Sequence, residues 1–307
     1  VGFFDGRACH PIHSKGKQMI YTRPITELMK TRFSCRVYCE DPIPPEKQQA
    51  LKQAFSSIAC GPFGSPVRFD LIAAEDQDRN ALRGLGTYGY IKGATGFILG
   101  AVRSGQKDLE DYAYCLEQII LYATELEIGT CWLGGTFAKS NFARKISVGS
   151  DEKMPAVVSI GLIADEALAR NAALRQRIGA DFRLPWETLF FDEQFNRPLD
   201  REKAGAYTLP LDMVRLGPSA SNKQPWRVIQ SGPAFHFYVQ RTKGYRNVWV
   251  KMLGVDDMQR VDLGIAMCHF ELTARELGLK GRWMLQEPAI EKPDELTEYS
   301  VSWVCAD

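Results

Sequence analysis

The hydrophobic positions of this chain change period several times, and the changes mark out its elements. Over Leu109–Glu127, Tyr112, Leu116, Ile119, Ile120, Ala123 and Leu126 recur at helical spacing, and Gly129 follows as a stop. That pattern predicts a long helix, and Asp262–Leu277 reads as a second one. Shorter helices are expected at Pro24–Thr31, at Pro45–Ser57 behind a proline-rich opening, and through Arg201–Leu216. Short β-type runs predict strands at Val67–Ala73, Thr95–Val102, Ala156–Ile163, Trp226–Gln230, His236–Arg241 and Tyr299–Cys305. Ala167–Arg177, rich in Ala and Arg, reads as a helical or mobile connection. The first eighteen residues show no period and Met19 is a candidate start, so residues 1–24 are set aside as a peripheral segment.

The order of elements repeats. Asp111 and Trp132 are separated by the same twenty-one residues as Asp262 and Trp283, and an offset of 151 also superposes Ala123 on Ala274, Glu125 on Glu276 and Leu126 on Leu277. A Gly-Pro pair precedes a strand in each half, at Gly61-Pro62 and at Gly217-Pro218. From Pro62 to Arg68 is six residues, whereas from Pro218 to Arg227 is nine, so the first loop looks like the second with a polar insert missing. Residues 25–195 and 196–307 are therefore expected to be two related α+β halves.

Composition changes this picture little. The 307 residues carry a net charge of +1, with no basic run interleaved with aromatics, which argues against nucleic acid as a partner. The longest apolar stretches, Ala94–Val102 and Ala156–Ala164, are nine residues each, too short to span a bilayer and right for buried strands. No secretory leader pattern opens the chain. Eight cysteines lack any Cys-x-x-Cys pair and sit mostly among apolar neighbours, which favours a reducing cytoplasm over a disulfide framework. His10 and His13 are spaced as metal ligands can be, but no ligand cluster accompanies them, so no metal is expected.

Two stretches carry candidate chemistry. Gly217–Trp226 packs Ser219, Ser221, Asn222 and Gln224 between two prolines, a composition that places short polar groups and backbone N–H groups around a flat polar edge. In Thr31–Tyr38, Arg32, Ser34 and Arg36 alternate, which puts two guanidiniums and a hydroxyl on one side of an extended segment. That set suits a phosphate, since Arg donates charge-assisted, bidentate hydrogen bonds.

Together these stretches resemble the FMN-dependent nitroreductase family, whose signature pairs an Arg-x-Ser-x-Arg segment with a Pro-Ser-Ser-x-Asn-x-Gln-Pro-Trp-like loop. Here they read Arg32-Phe33-Ser34-Cys35-Arg36 and Pro218-Ser219-Ala220-Ser221-Asn222-Lys223-Gln224-Pro225-Trp226, with Ala220 departing from the pattern. Ile128–Gly135 is similar to the segment that lies against the flavin ring, and Arg183-Leu184-Pro185-Trp186-Glu187 to the late basic segment that reaches the flavin phosphate. The usual motif order is altered, because the good loop lies in the second half and no Arg-x-Ser-x-Arg occurs there. The resemblance, over residues 25–305, implies a nitroreductase-like fold with both halves fused into a pseudo-dimer, one FMN per chain at the seam, and NAD(P)H as electron donor. It assigns Arg32, Arg36 and Arg183 to the phosphate and Ser34 to the flavin's polar edge. Lys92 would meet the pyrimidine carbonyls; Leu133, Gly134 and Gly135 would lie beside the ring. Pro218, Ser219, Ala220, Ser221, Asn222 and Gln224 would line the isoalloxazine from the other half. No protein nucleophile or catalytic acid or base is implied, because the flavin carries the reaction to a nitroaromatic, quinone or related acceptor. A flavin-binding protein without turnover, or dehalogenation or flavin fragmentation on the same fold, are the alternatives. The implied assembly is a monomeric pseudo-dimer or a weak homo-oligomer.

Gly84-Leu85-Gly86-Thr87-Tyr88-Gly89 matches the dinucleotide fingerprint in letters only: a charged run precedes it and a strand follows, the reverse of what phosphate at a helix N-terminus requires. Trp132 and Trp283 read as core, while Tyr88 and Tyr90 are candidates for the space over the flavin.

Overall fold

The computed structural model describes residues 21–73, 82, 85, 87, 89–135, 137–163, 165–170, 173–244 and 255–306. In chain order the elements are α1 (Ile25–Thr31), α2 (Pro45–Ser57), β1 (Val67–Ala73), β2 (Gly96–Arg103), α3 (Asp108–Glu125), β3 (Ile128–Leu133), α4 (Lys139–Lys145), β4 (Glu152–Lys153) and β5 (Val157–Leu162). Two short helices, α5 (Glu166–Arg170) and α6 (Ala173–Arg177), lead to β6 (Phe190–Asp192) and β7 (Gln194–Pro198). Then come α7 (Arg201–Ala204), α8 (Thr208–Leu216), β8 (Trp226–Ser231), β9 (Ala234–Gln240), α9 (Met258–Glu276), β10 (Gly281–Met284) and β11 (Thr297–Cys305).

Two sheets result. The first runs β1-β2-β5-β3 with β4 beside β2, and the second runs β10-β11-β9-β8-β6-β7. Reversed, the first sheet's order β3-β5-β2-β1 repeats as β10-β11-β9-β8, each adjacent pair antiparallel. Along the chain, both follow helix, strand, strand, long helix, strand, strand, so the two halves share one topology.

The two long helices, α3 and α9, pack on each other at the centre and are buried along nearly their whole length. Gly264 makes the close approach possible: a Cβ there would sit 2.2 Å from the Glu110 carbonyl oxygen and 2.7 Å from Ala113 Cβ. Ala113 is the residue that the 151 offset superposes on Gly264, so equivalent positions meet where the halves cross. Two of the carboxylates that α3 buries, Asp108 and Glu110, are paired across this contact by Arg260.

Three features depart from the sequence reading. The Arg201–Leu216 helix is broken at Gly205, whose φ of 55° belongs to the left-handed region. α9 begins earlier than expected, at Met258, because Asp257 caps it by accepting the Gln259 and Arg260 N–H groups. β6 joins the second sheet by parallel pairing with β8, so the tail of the first half forms an edge of its neighbour's sheet from Phe190 onward. Among the cysteines, Cys35, Cys39, Cys115, Cys131, Cys268 and Cys305 are free, whereas Cys60 is disulfide-bonded, against the expectation from their apolar surroundings. Among the described residues, no helix is long and apolar enough to cross a membrane.

Candidate functional site

The Arg32–Val37 segment leaves α1 as an extended strip alongside β3. Ser34 bridges to Thr130, Cys35 N–H donates to the Thr130 carbonyl at 2.8 Å, and Val37 bridges to Lys92. This pairing fixes the alternation, and Arg32, Ser34 and Arg36 all face one recess of about 210 Å³. Lys30, Arg170, Arg175 and Arg183 join them there, with Asp181 as the only acidic lining residue.

The cradle is strongly cationic and incompletely bonded. Arg32 Nε, Arg36 Nη1 and Arg183 Nε are buried without a hydrogen-bond partner. The nearest carboxylate to Arg32 is Glu117, at 3.7 Å from Nε. Arg183 is held by the Ala180, Phe182 and Leu216 carbonyls, at 2.7, 2.8 and 3.1 Å. Burial, with Arg32 beside it, pulls Arg183 down to about 10, still charged at neutral pH. Burial likewise lowers Arg32. Crowding buried guanidiniums without anions is costly, and an oxyanion that accepts from them removes that cost.

The cradle opens into a chamber of about 490 Å³, the two sharing Ser34, Arg36, Ile178, Pro218, Ser219 and Ser221. Trp132, Leu133, Gly134 and Gly135 form one wall of the chamber, and α9 supplies Met258, Val261, Asp262 and Ile265. Gly134 lies close against α9, since a Cβ there would sit 2.7 Å from the Met258 thioether and displace that side chain, whereas a Cβ at Gly135 meets only ordinary contacts. Tyr90, 45% exposed, lies at the lining.

The polar loop forms the facing wall in a strained conformation. Ser221, Asn222 and Gln224 have φ values of 50°, 53° and 48°, a left-handed region that non-glycine residues enter at a cost. Side chains hold it there. Ser219 Oγ accepts the Gln224 N–H at 2.9 Å, and Asn222 Nδ2 donates to the Gly179 and Phe182 carbonyls at 2.6 and 3.0 Å. Asp262 Oδ1 accepts the Ala220 N–H at 2.9 Å, while its Oδ2 is buried without a partner, and burial pushes this carboxyl well up.

Of the sequence-predicted residues, the structure brings together Arg32, Ser34, Arg36, Leu133, Gly134, Gly135, Arg183, Pro218, Ser219, Ala220, Ser221 and Asn222. It leaves out two. Lys92 is exposed and lines neither recess, and it is its backbone that serves, bonding to Arg36 and Tyr38. Gln224 is buried behind the loop, where Oε1 accepts the Leu184 N–H at 2.9 Å and ties the loop to the Arg183 segment. Trp132, read as core, packs against the core and also lines the chamber. Arg175 was not foreseen: it is 3% exposed, donates to the Ser34 carbonyl at 3.3 Å and pairs with Asp181. Gly84, Gly86, Tyr88, His10 and His13 lie outside the described residues.

The other half keeps a counterpart recess of about 690 Å³, lined by the shortened loop from Pro62 to Pro66, by Arg103–Lys107 and by Arg282, Trp283, Met284 and Leu285. Asp111 takes the place of Asp262, its two oxygens accepting the Phe63 and Ser65 N–H groups, each at 2.9 Å. Arg103 and Lys107 pair with Asp151 and Glu110, at 3.1 and 3.5 Å. Arg68, after the loop, is bound by Glu152 and the Ile146 carbonyl, at 2.7 and 3.0 Å.

Comparison with known proteins gives one family. The profile described as "Putative TM nitroreductase" matches residues 24–274. None of the curated proteins matches the chain in sequence. Among solved structures, one from Thermotoga maritima described as a "putative nitroreductase" is 19% identical, with a TM-score of 0.58, covering 95% of this chain and 98% of its own. A Bacteroides fragilis nitroreductase with bound FMN is 23% identical, with a TM-score of 0.35, covering 48% of this chain and 92% of its own.

Proposed function

The chain belongs to this nitroreductase family, and from that premise we propose that it is an FMN-dependent oxidoreductase passing reducing equivalents from NAD(P)H to a nitroaromatic, quinone or related electrophile. The carrying observation is a cradle of buried guanidiniums with unbonded N–H groups that opens directly into a chamber of about 490 Å³. FMN joins a phosphate to a planar ring, and both parts have a match here. Arg32, Arg36, Arg175 and Arg183 would hold the phosphate. Trp132–Gly135 and Pro218–Ser221 would enclose the ring, and Ser34 would lie between the two.

Bound FMN accepts a hydride from one substrate and gives it to another. The protein's share is placement. Asp262 and Ser219 lock the strained loop in its ring-facing shape, Gln224 fixes the distance between that loop and Arg183, and the apolar α9 face excludes water from the chamber. Both walls come from one chain, so the pseudo-dimer needs no second copy to complete this site.

Purified protein should be yellow or take up added FMN, and anaerobic NADH or NADPH should bleach it. A colourless protein that fails to bind FMN would overturn the cofactor. A yellow protein that neither nucleotide bleaches would leave flavin binding without turnover.

A further inference from the structure

Beneath the cradle lies a buried carboxylate whose partners fix a proton count. Glu117, on α3, is wholly buried; its Oε2 accepts from Trp132 Nε1 at 2.8 Å, and Oε1 lies 3.0 Å from His269 Nε2 and 3.7 Å from Arg32 Nε. His269, on α9, is also wholly buried, and its Nδ1 lies 2.8 Å from the Met213 carbonyl oxygen at the end of α8. A neutral imidazole has one N–H and one lone pair, yet here both nitrogens face oxygens that accept. The contacts are satisfied only if the imidazole carries both protons or Glu117 carries one and donates it to Nε2. Either way, the pair holds one proton more than a neutral imidazole beside a carboxylate.

We propose that Glu117 and His269 are positioning residues for the phosphate cradle: while they hold this extra proton Arg32 is free to bind a phosphate, and its loss draws Arg32 back to Glu117. The inference rests on the FMN reading of the site. With the proton, Glu117 is compensated within the pair and the full charge of Arg32 faces the recess. Without it, Arg32 is the nearest cation to an uncompensated buried carboxylate, a strongly unfavourable situation unless the two close up. The cradle then loses one effective charge.

The groups around the pair add no second switch. The Tyr21 hydroxyl and the Cys268 thiol are pushed well up by burial and stay neutral, and Glu125 acts on Tyr21 from the end of α3. Beyond Arg32 lie the buried Cys131 thiol, Arg175 and Arg183. The residue that the 151 offset superposes on Glu117 is Cys268; in the other half Trp283 Nε1 instead donates to Glu271, at 2.7 Å, which also accepts from the Tyr114 hydroxyl at 2.6 Å and pairs with Arg275. There the compensating charge is a permanent guanidinium.

The test compares FMN with riboflavin, which lacks the phosphate, by flavin-fluorescence titration of the flavin-free protein. Raising the pH makes FMN's phosphate more negative and by itself strengthens binding. The proposal expects the opposite, a fall in the FMN-to-riboflavin affinity ratio of about tenfold as the pH is raised and one charge leaves the cradle. His269→Gln should show the weakened ratio already at the acid end, and Glu117→Gln should give an undiminished ratio that rises with pH as the phosphate ionises. A wild-type ratio that stays level or rises with pH, or one that neither substitution changes, overturns the proposal. Nitrogen NMR of the flavin-free wild type guards against variants that fail to fold. Two N–H groups on the His269 imidazole, or an infrared carboxylic-acid band that Glu117→Gln removes, supports the shared proton; one N–H and no such band overturns it. If the wild type binds neither flavin, the FMN reading fails on its own while the NMR arm still decides the proton.

Discussion

The two recesses occupy equivalent places in the two halves, yet among the described residues only one gathers buried guanidiniums that lack hydrogen-bond partners. Each is closed by a loop that a buried aspartate holds by its backbone N–H groups, Asp262 on one side and Asp111 on the other. Each has its tryptophan, Trp132 or Trp283, along the wall. The difference lies in what reaches the recess from outside the repeated unit. The Arg32–Arg36 strip precedes the repeated order of elements and the Arg175–Arg183 stretch follows it in the first half, and four of the five arginines lining the cradle lie on them. In the counterpart, Arg103 and Lys107 already have carboxylate partners. The recess is thus a property of the fold, whereas most of its guanidiniums come from two appended segments.

Removing the appended charges should separate the recesses most. Arg32→Ala with Arg36→Ala should weaken FMN binding at least about a hundredfold, since each charge-assisted bond contributes roughly 1.5–3 kcal/mol. Arg103→Ala with Arg282→Ala, or Arg68→Ala alone, should leave it unchanged. Equal losses in a flavin titration would break the comparison, as would two flavins per chain in the absorbance of the purified holoprotein. Gly264→Ala comes next: its Cβ would overlap the Glu110 carbonyl where the halves cross, so denaturant unfolding should show a loss of about 1–3 kcal/mol. Gln224→Ala should cost a similar or smaller amount, about 1–3 kcal/mol for leaving the Leu184 N–H without its acceptor. Its FMN affinity should fall less than in the double arginine variant.

The smallest effect concerns the two aspartates. Burial pushes Asp111 up to about 6, from an ordinary 3.8. A carboxyl raised on folding stabilises in its protonated form, so its contribution is complete below the ordinary range and lost as pH rises through about 6. The thermal midpoint of the wild type relative to Asp111→Asn should therefore decline over that window. The same comparison with Asp262→Asn should also decline as the pH rises, because burial raises that carboxyl too and one of its oxygens has no donor. A midpoint difference that rises with pH at either aspartate would show that its loop is held by the carboxylate instead.

What could be read in the sequence follows the range of the interactions. The Arg-x-Ser-x-Arg strip and the polar loop were legible because each is local and chemically unusual. Asp111 and Asp262 were visible only as a spacing; that each grips a loop needed the tertiary structure. Gln224 was misplaced because an amide bonds a flavin and a backbone N–H equally well, and burial decides between them. Lys92 was misplaced for the converse reason, since bridge pairing uses its backbone and turns its side chain out. β10 was missed because Gly281–Met284 is too short to show alternation. Arg175 gave no local signal at all, in a stretch that reads as an ordinary basic helix.

The burial of α3 on nearly all sides has a consequence for synthesis at the ribosome. Half of its cover is α9, which follows about 130 residues later, so the first half emerges with an apolar helix open to solvent and to chaperones. Glu117 emerges without His269, and the arginine cradle without Pro218–Asn222. On the proposed function, flavin capture would wait for Ile265 to leave the exit tunnel, and a chain truncated before α9 should be an aggregation-prone fragment.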